Sequence, residues 1–307
     1  MIFSILMSLF ILSSCWLMEK TIVGEGDVVK TEYALDDASF IEVKNISLIY
    51  GGNDIYTHIY VHEPKKEKEL KIEVEGQQNI IDSITLKTKD DKLSITGNSY
   101  AKYDTEALII RIYGYTFAKF DLQNARCDLS TDIKVKDLDV NLSGTSYLKL
   151  SNVTCDSFTA KLADASQFNS ETITTKEVEL TSLNSASFRA GLVATTVKAN
   201  VSNASYLNIE FEIRDLDIEM SGSSQGTFSG YVSNKAIVEV SGASRLNAIS
   251  LEANVADLDV MGASSLSIIV NNTLKGYVTG ASSLTYGGNA KTTIESSGES
   301  VVKYIGE

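Results

Sequence analysis

The chain has 307 residues, 43% of them apolar, with one proline and a formal net charge of -13. This length and apolar content suffice for a sizeable folded core, which excludes a largely disordered chain. The acidic balance excludes nucleic acid as a partner, because phosphate backbones are held by clustered Lys and Arg, and it favours cations or basic partners.

Residues 1–14 read as an export signal, apolar and free of acidic side chains. They run into Leu12-Ser13-Ser14-Cys15, which resembles the lipobox of bacterial lipoproteins. The resemblance implies cleavage before Cys15 and a diacylglycerol on its thiol. The protein would then be exported and lipid-anchored in the bacterial cell envelope, at the outer membrane, facing the periplasm or the surface. An uncleaved anchor, or a plain signal peptide followed by a chance cysteine, is the alternative. A stretch of 14 residues is too short to span a bilayer as a helix. Residues 15–23 then make a short tether.

Residues 24–117 are β-rich without a clear repeat. Period-two alternation runs through Phe40 to Val43, Ile55 to His62, Leu70 to Val74, Leu93 to Ile95 and Leu108 to Tyr113. The charged stretch Glu63 to Glu69, which holds the only proline, predicts an exposed connection. A first degenerate coil follows, with Phe120 and Leu122 placed six and four residues before Arg126.

Residues 118–307 repeat. The copies are Gly144-Thr145-Ser146, Asp164-Ala165-Ser166, Ser185-Ala186-Ser187, Asn203-Ala204-Ser205, Gly222-Ser223-Ser224, Gly242-Ala243-Ser244, Gly262-Ala263-Ser264, Gly280-Ala281-Ser282 and Gly298-Glu299-Ser300. Their serines are separated by 20, 21, 18, 19, 20, 20, 18 and 18 residues. Apolar residues recur four, six and eight positions before most of the serines, as in Leu142, Val140 and Leu138, and again two positions after most of them, as in Leu148 and Leu266. Each coil therefore has two inward-facing strands with the small-residue turn as the corner between them. Gly reaches positive φ freely, and Asp164 and Asn203 are the other residue types that tolerate it. Ser185 in that slot, within the longest coil, predicts a local bulge.

A coil of about nineteen residues cannot bury its apolar columns alone, so successive coils must stack about 4.8 Å apart in parallel. The predicted fold is all-β, a right-handed parallel β-helix of nine to ten short coils, capped or continued at its start by the β-rich N-terminal region. The last coil, ending at Tyr304-Ile305-Gly306-Glu307, shows no evident cap, and an uncovered edge offers pairing with a partner or a second copy.

The opening Gly24 to Val29, the run Asp37 to Val43 and the repeated Ser-Gly-Ala-Ser turns, clearest at Ser241 to Ser244, look like the putative autotransporter-adhesin head GIN domain family. The resemblance covers roughly residues 24 to 300. It implies a β-helix of the bacterial envelope and brings no catalytic residues with it.

The residues themselves support binding better than catalysis. The slot five before each serine points outward and stacks Glu219, Glu239 and Asp259 on successive coils, with Asp217 and Asp257 two residues earlier. Calcium could use such oxygens, while a solvated acidic face is the plainer reading. His58 and His62 share one face of a strand, too far apart for one metal, and no histidine accompanies the turn serines to serve as a base. Tyr56, Tyr60, Tyr100, Tyr103, Tyr113 and Tyr115 make the N-terminal region the place where a glycan or protein ligand would bind, unless they are ordinary strand filler. Cys127 and Cys155 fall at different places in the repeat and read as small buried hydrophobes. The sequence thus predicts a non-enzymatic envelope binding protein without a cofactor. A carbohydrate-active enzyme and a self-assembling module are the alternatives.

Overall fold

The computed structural model describes residues 20–34, 36–62, 70–129 and 131–306. The stretch read as an export signal, Cys15 and the charged stretch 63–69 lie outside them. Of the stretch read as a tether, Lys20–Val23 forms a strand that pairs in parallel with Ala101–Asp104.

The described chain is nearly all β and winds into a parallel solenoid of about nine turns. Each coil has a leading strand before its corner and a trailing strand after it. Leading strands stack in parallel from Phe40–Lys44 through Lys119–Gln123, Asp137–Ser143, Ser157–Leu162 and Glu177–Ser182. Trailing strands do the same from Thr57–His62 through Ala125–Leu129, Tyr147–Thr154 and Gln167–Thr174. From Ser187 to Val278 the trailing half of one coil and the leading half of the next form one long bent strand, such as Tyr206–Met220 or Arg245–Val260. Register shifts near Ile213, Val232 and Ala253 make these bends, since an extra residue in one strand turns it sharply.

The inward columns fill the tube. Leu138, Val140, Leu142 and Leu148 are buried, as are their counterparts Leu216, Ile218, Met220 and Leu207 further along. In the middle of the tube Phe158, Phe168 and Phe188 fill the interior, with Phe168 stacked on Phe188 at 4.9 Å between ring centroids. Stacking one coil on the next removes these columns from water, and this gives the repeat its stability.

The corner has a defined geometry. Gly144, Gly222, Gly242, Gly262 and Gly280 all have φ between 65° and 81°. From Gly222 onward the corners also stack closely: the Ala263 amide donates to the Gly242 carbonyl at 2.7 Å, and a Cβ on Gly262 would lie 2.8 Å from that same oxygen. Only glycine meets both demands.

The frame of one coil differs from the sequence reading. Ser187 pairs with Gln167 and Tyr206, so the buried corner position belongs to Ala186, and Asn184, at φ 56°, occupies the glycine slot. Asn184 makes the left-handed turn in place of a glycine. In the corrected frame Ser182, Leu180 and Val178 supply the inward columns, and Leu183 points away. The bulge of this coil sits at Ser170 and Glu171, between the pairs Asn169–Arg189 and Thr172–Gly191.

The solenoid also begins earlier than Phe120. Phe40–Lys44 and Thr57–His62 already form a coil, with Asn45 at φ 58° between them. The chain then leaves the solenoid to build a cap from Lys71–Gln77, Thr85–Lys89, Lys92–Thr96 and Leu108–Tyr113. This cap pairs onto both strands of the first coil. It returns at Lys119 to form the next coil, so the N-terminal region covers one end of the tube. Phe120 and Leu122 align with Val140 and Leu142, but the corner is one residue shorter than inferred, and Arg126 pairs with Tyr147. Asn124 takes the glycine slot there, at φ 54°.

Candidate functional site

The recurrent corner serines are structural. Ser146, Ser224, Ser244, Ser264 and Ser282 are all buried. The Oγ of Ser146 lies 2.7 Å from the Ser143 carbonyl and 2.9 Å from the Leu122 carbonyl of the preceding coil. Ser264 repeats this toward Met261 and Val240, and Ser282 toward Thr279 and Val260. A hydroxyl spent on carbonyls inside the wall is not placed to attack a ligand.

The outward residues of the leading flank build a groove. Cross-coil register aligns Asn200, Glu219, Glu239, Asp259, Tyr277 and Glu295 in one row, and Lys198, Asp217, Ile237, Asp257, Lys275 and Thr293 in the row beside it. These residues line a concavity of about 520 Å³. The acid ladder is where the repeat frame placed it. The lysines and Ile237 were missed, although the slot seven before each serine lists them.

Charge in the groove is partly compensated. Lys235 lies 2.5 Å from Asp257, and Lys198 lies 3.9 Å from Asp217. Glu239, flanked by two acids, has its carboxyl pushed above the usual range, first by burial and then by Glu219 and Asp259. Among the described residues no three His, Cys, Asp or Glu side chains converge as a metal site. The exposed side chains of Ile237 and Tyr277 give the floor apolar contact area between the charges. Such a surface can hold a ligand with apolar and positively charged parts.

A second concavity lies on the trailing flank, near the cap. Strand Thr57–His62 buries Thr57, Ile59 and Val61 and leaves His58, Tyr60 and His62 half-buried on its outer face. Their rings lie in nearly parallel planes, with successive centroids 6.1 and 6.2 Å apart, and His62 continues onto Tyr113 at 5.2 Å. Arg126 and Asp128 stand in register with His58 and Tyr60, and Tyr147 and Lys149 stand beside them on the next coil. These neighbours come from strands far apart in sequence, so no local pattern announces them. Of the other N-terminal tyrosines, Tyr56 and Tyr100 are exposed, whereas Tyr103, Tyr113 and Tyr115 belong to the core or its margin. Cys127 and Cys155 are buried free thiols, each raised in pKa by burial first.

A family model described as putative auto-transporter adhesin, head GIN domain, matches residues 56–202 and 171–290. No curated protein matches the sequence. Among solved structures, a putative adhesin from Parabacteroides merdae ATCC 43184 is similar at 12% identity and a TM-score of 0.53, over 93% of this chain and 99% of that one. A putative lipid binding protein from Parabacteroides distasonis ATCC 8503 is similar at 14% identity and a TM-score of 0.51, over 93% of this chain and 100% of that one. At these identities the likeness shows a shared fold.

Proposed function

This chain belongs to the family of the putative auto-transporter adhesin head GIN domain, and on that premise we propose that it is a non-enzymatic, adhesin-like protein of the bacterial cell envelope. The solenoid displays its leading flank to a ligand, and a lipid on Cys15 holds the chain at the outer membrane. One observation carries this reading: six consecutive coils place their outward side chains in a single groove, while the repeated serines are consumed inside the wall. The fold is a rigid scaffold, and the outward slots are where sequence can vary without disturbing the tube.

The test is retention of the purified full chain, in detergent micelles, on intact cells and extracellular matrix. Glu239→Gln combined with Ile237→Asp is expected to lose retention while the chain still melts in a cooperative transition no lower than that of the parent. Unchanged retention would remove the groove from the reading. Turnover of an acidic polysaccharide by the parent chain would establish an enzyme instead. For the anchor, Cys15→Ser is expected to release the chain from the membrane fraction.

Exposed apolar residues on the last described strand favour a second reading. Strand Val301–Tyr304 pairs on one side with Ser283–Gly287 and leaves Val301, Tyr304 and Ile305 exposed. Edge-to-edge association of copies would cover them. Light scattering at rising concentration tests this, and a constant monomer mass refutes it.

A further inference from the structure

We propose that the ring-bearing face around Tyr60 is a binding site for an uncharged oligosaccharide. This site is on the other flank from the groove and does not depend on it. Its depression, lined by His58, Tyr60, His62, Arg126, Asp128 and Lys149 among others, has a volume of about 460 Å³. That lies within the range of about 300–1,000 Å³ in which small-molecule sites fall.

The chemistry of the lining selects the ligand. A pyranose ring presents an apolar C–H face and a rim of hydroxyls. It needs aromatic surface beside donors and acceptors that are already held in place. His58, Tyr60 and His62 supply the aromatic surface, and the buried Tyr113 backs the ladder behind His62. The Arg126 guanidinium lies 4.2 Å from the Tyr147 ring centroid, and its Nε lies 3.0 Å from Asp128 Oδ2. Stacking and ion pairing fix this donor–acceptor couple before any ligand arrives, which lowers the ordering cost of binding.

His58 is part of the same lining. Its Nδ1 is sealed from solvent without a hydrogen-bond partner. Burial and the neighbouring Arg126 both favour the uncharged ring.

Net charge decides against the alternatives. Arg126 and Lys149 on this face are balanced by Asp128 and Glu171. A uronate or sulfated chain gains no net attraction there, and neither does a cationic peptide. A neutral, hydroxyl-rich ligand meets paired charges that serve as hydrogen-bonding groups.

Calorimetric titration of the full chain in detergent micelles with cellotetraose, maltotetraose and mannotetraose, beside tetragalacturonate, tests the assignment. At least one neutral tetrasaccharide is expected to bind. Tyr60→Ala and Arg126→Ala should each weaken it about tenfold, the scale of one aromatic or charged contact. Lys176→Ala, remote and exposed, serves as the control and should leave binding unchanged. If Tyr60→Ala fails to fold, Lys149→Ala, at an exposed position, should weaken binding in its place. The assignment is overturned if no neutral tetrasaccharide binds, if only tetragalacturonate binds, or if binding survives both substitutions. Neutral-sugar binding that survives Tyr60→Ala but is lost in Glu239→Gln would relocate the ligand to the groove, overturning this site and leaving the adhesin-like reading intact.

Discussion

The Oγ of Ser264 lies 2.8 Å from the carbonyl oxygen of Val240, one coil back, as well as 2.7 Å from that of Met261 in its own corner. One buried hydroxyl therefore ties two neighbouring coils together. Ser264→Ala removes it: the Val240 carbonyl keeps the Met261 N–H at 2.9 Å, while the Met261 carbonyl loses its hydroxyl donor. The expected loss is about 1–2 kcal/mol, seen as a lower midpoint in urea.

The converse holds at Ala186, which fills the same buried position without a hydroxyl. Ala186→Ser should supply the missing bond to the carbonyl of Leu183, as its counterparts do to theirs. A gain of up to about 1 kcal/mol is expected. A drop in the urea midpoint would show that this corner is too tight for the extra oxygen.

Gly242 combines φ of 70° with an approach in which a Cβ would sit 2.7 Å from the Gly222 carbonyl oxygen. Gly242→Ala adds a left-handed backbone penalty to a clash with immovable backbone. The expected cost is about 2 kcal/mol or more. Gly26, at φ 77° with open space around it, provides the comparison, and Gly26→Ala should cost less in the same denaturation assay.

Glu239 makes stability depend on pH in a calculable direction. Its carboxyl is raised in the folded state by burial and by Glu219 and Asp259. A group that binds its proton more tightly when folded costs stability once ionised, and protonation removes that cost. Glu239→Gln should therefore raise the melting temperature at pH 7. The gain over the parent should shrink as pH falls through the raised pKa toward the ordinary value of 4.5. A difference independent of pH would contradict this.

Cys127 is fully buried, and Cys155 is 8% exposed. Burial pushes both thiols up in pKa, so little thiolate forms at neutral pH. An alkylating reagent should label both positions only after denaturation, as mass spectrometry of the peptides would show.

Much of this architecture was legible because a coil writes its geometry into local sequence. Alternation at Leu138, Val140 and Leu142 and the small-residue corner at Gly144 state which side chains face inward and where the chain turns. The acid row through Glu219, Glu239 and Asp259 followed from the same frame. The slip at Ser187 arose because the sequence Ser185-Ala186-Ser187 mimics the motif one residue late, while cross-coil pairing selects Asn184 for the positive φ.

The sequence alone determined a stacked coil with an acidic, serine-cornered wall, since period and turn chemistry are local properties. Tertiary structure alone decided that Phe40–His62 is the first coil, that the intervening strands fold back to cap it, and that Arg126 and Tyr147 stand beside His58 and Tyr60. These depend on which strands share hydrogen bonds across long separations. Such pairings are set by the closure of the whole tube, because no single coil buries its core until its neighbours are in place.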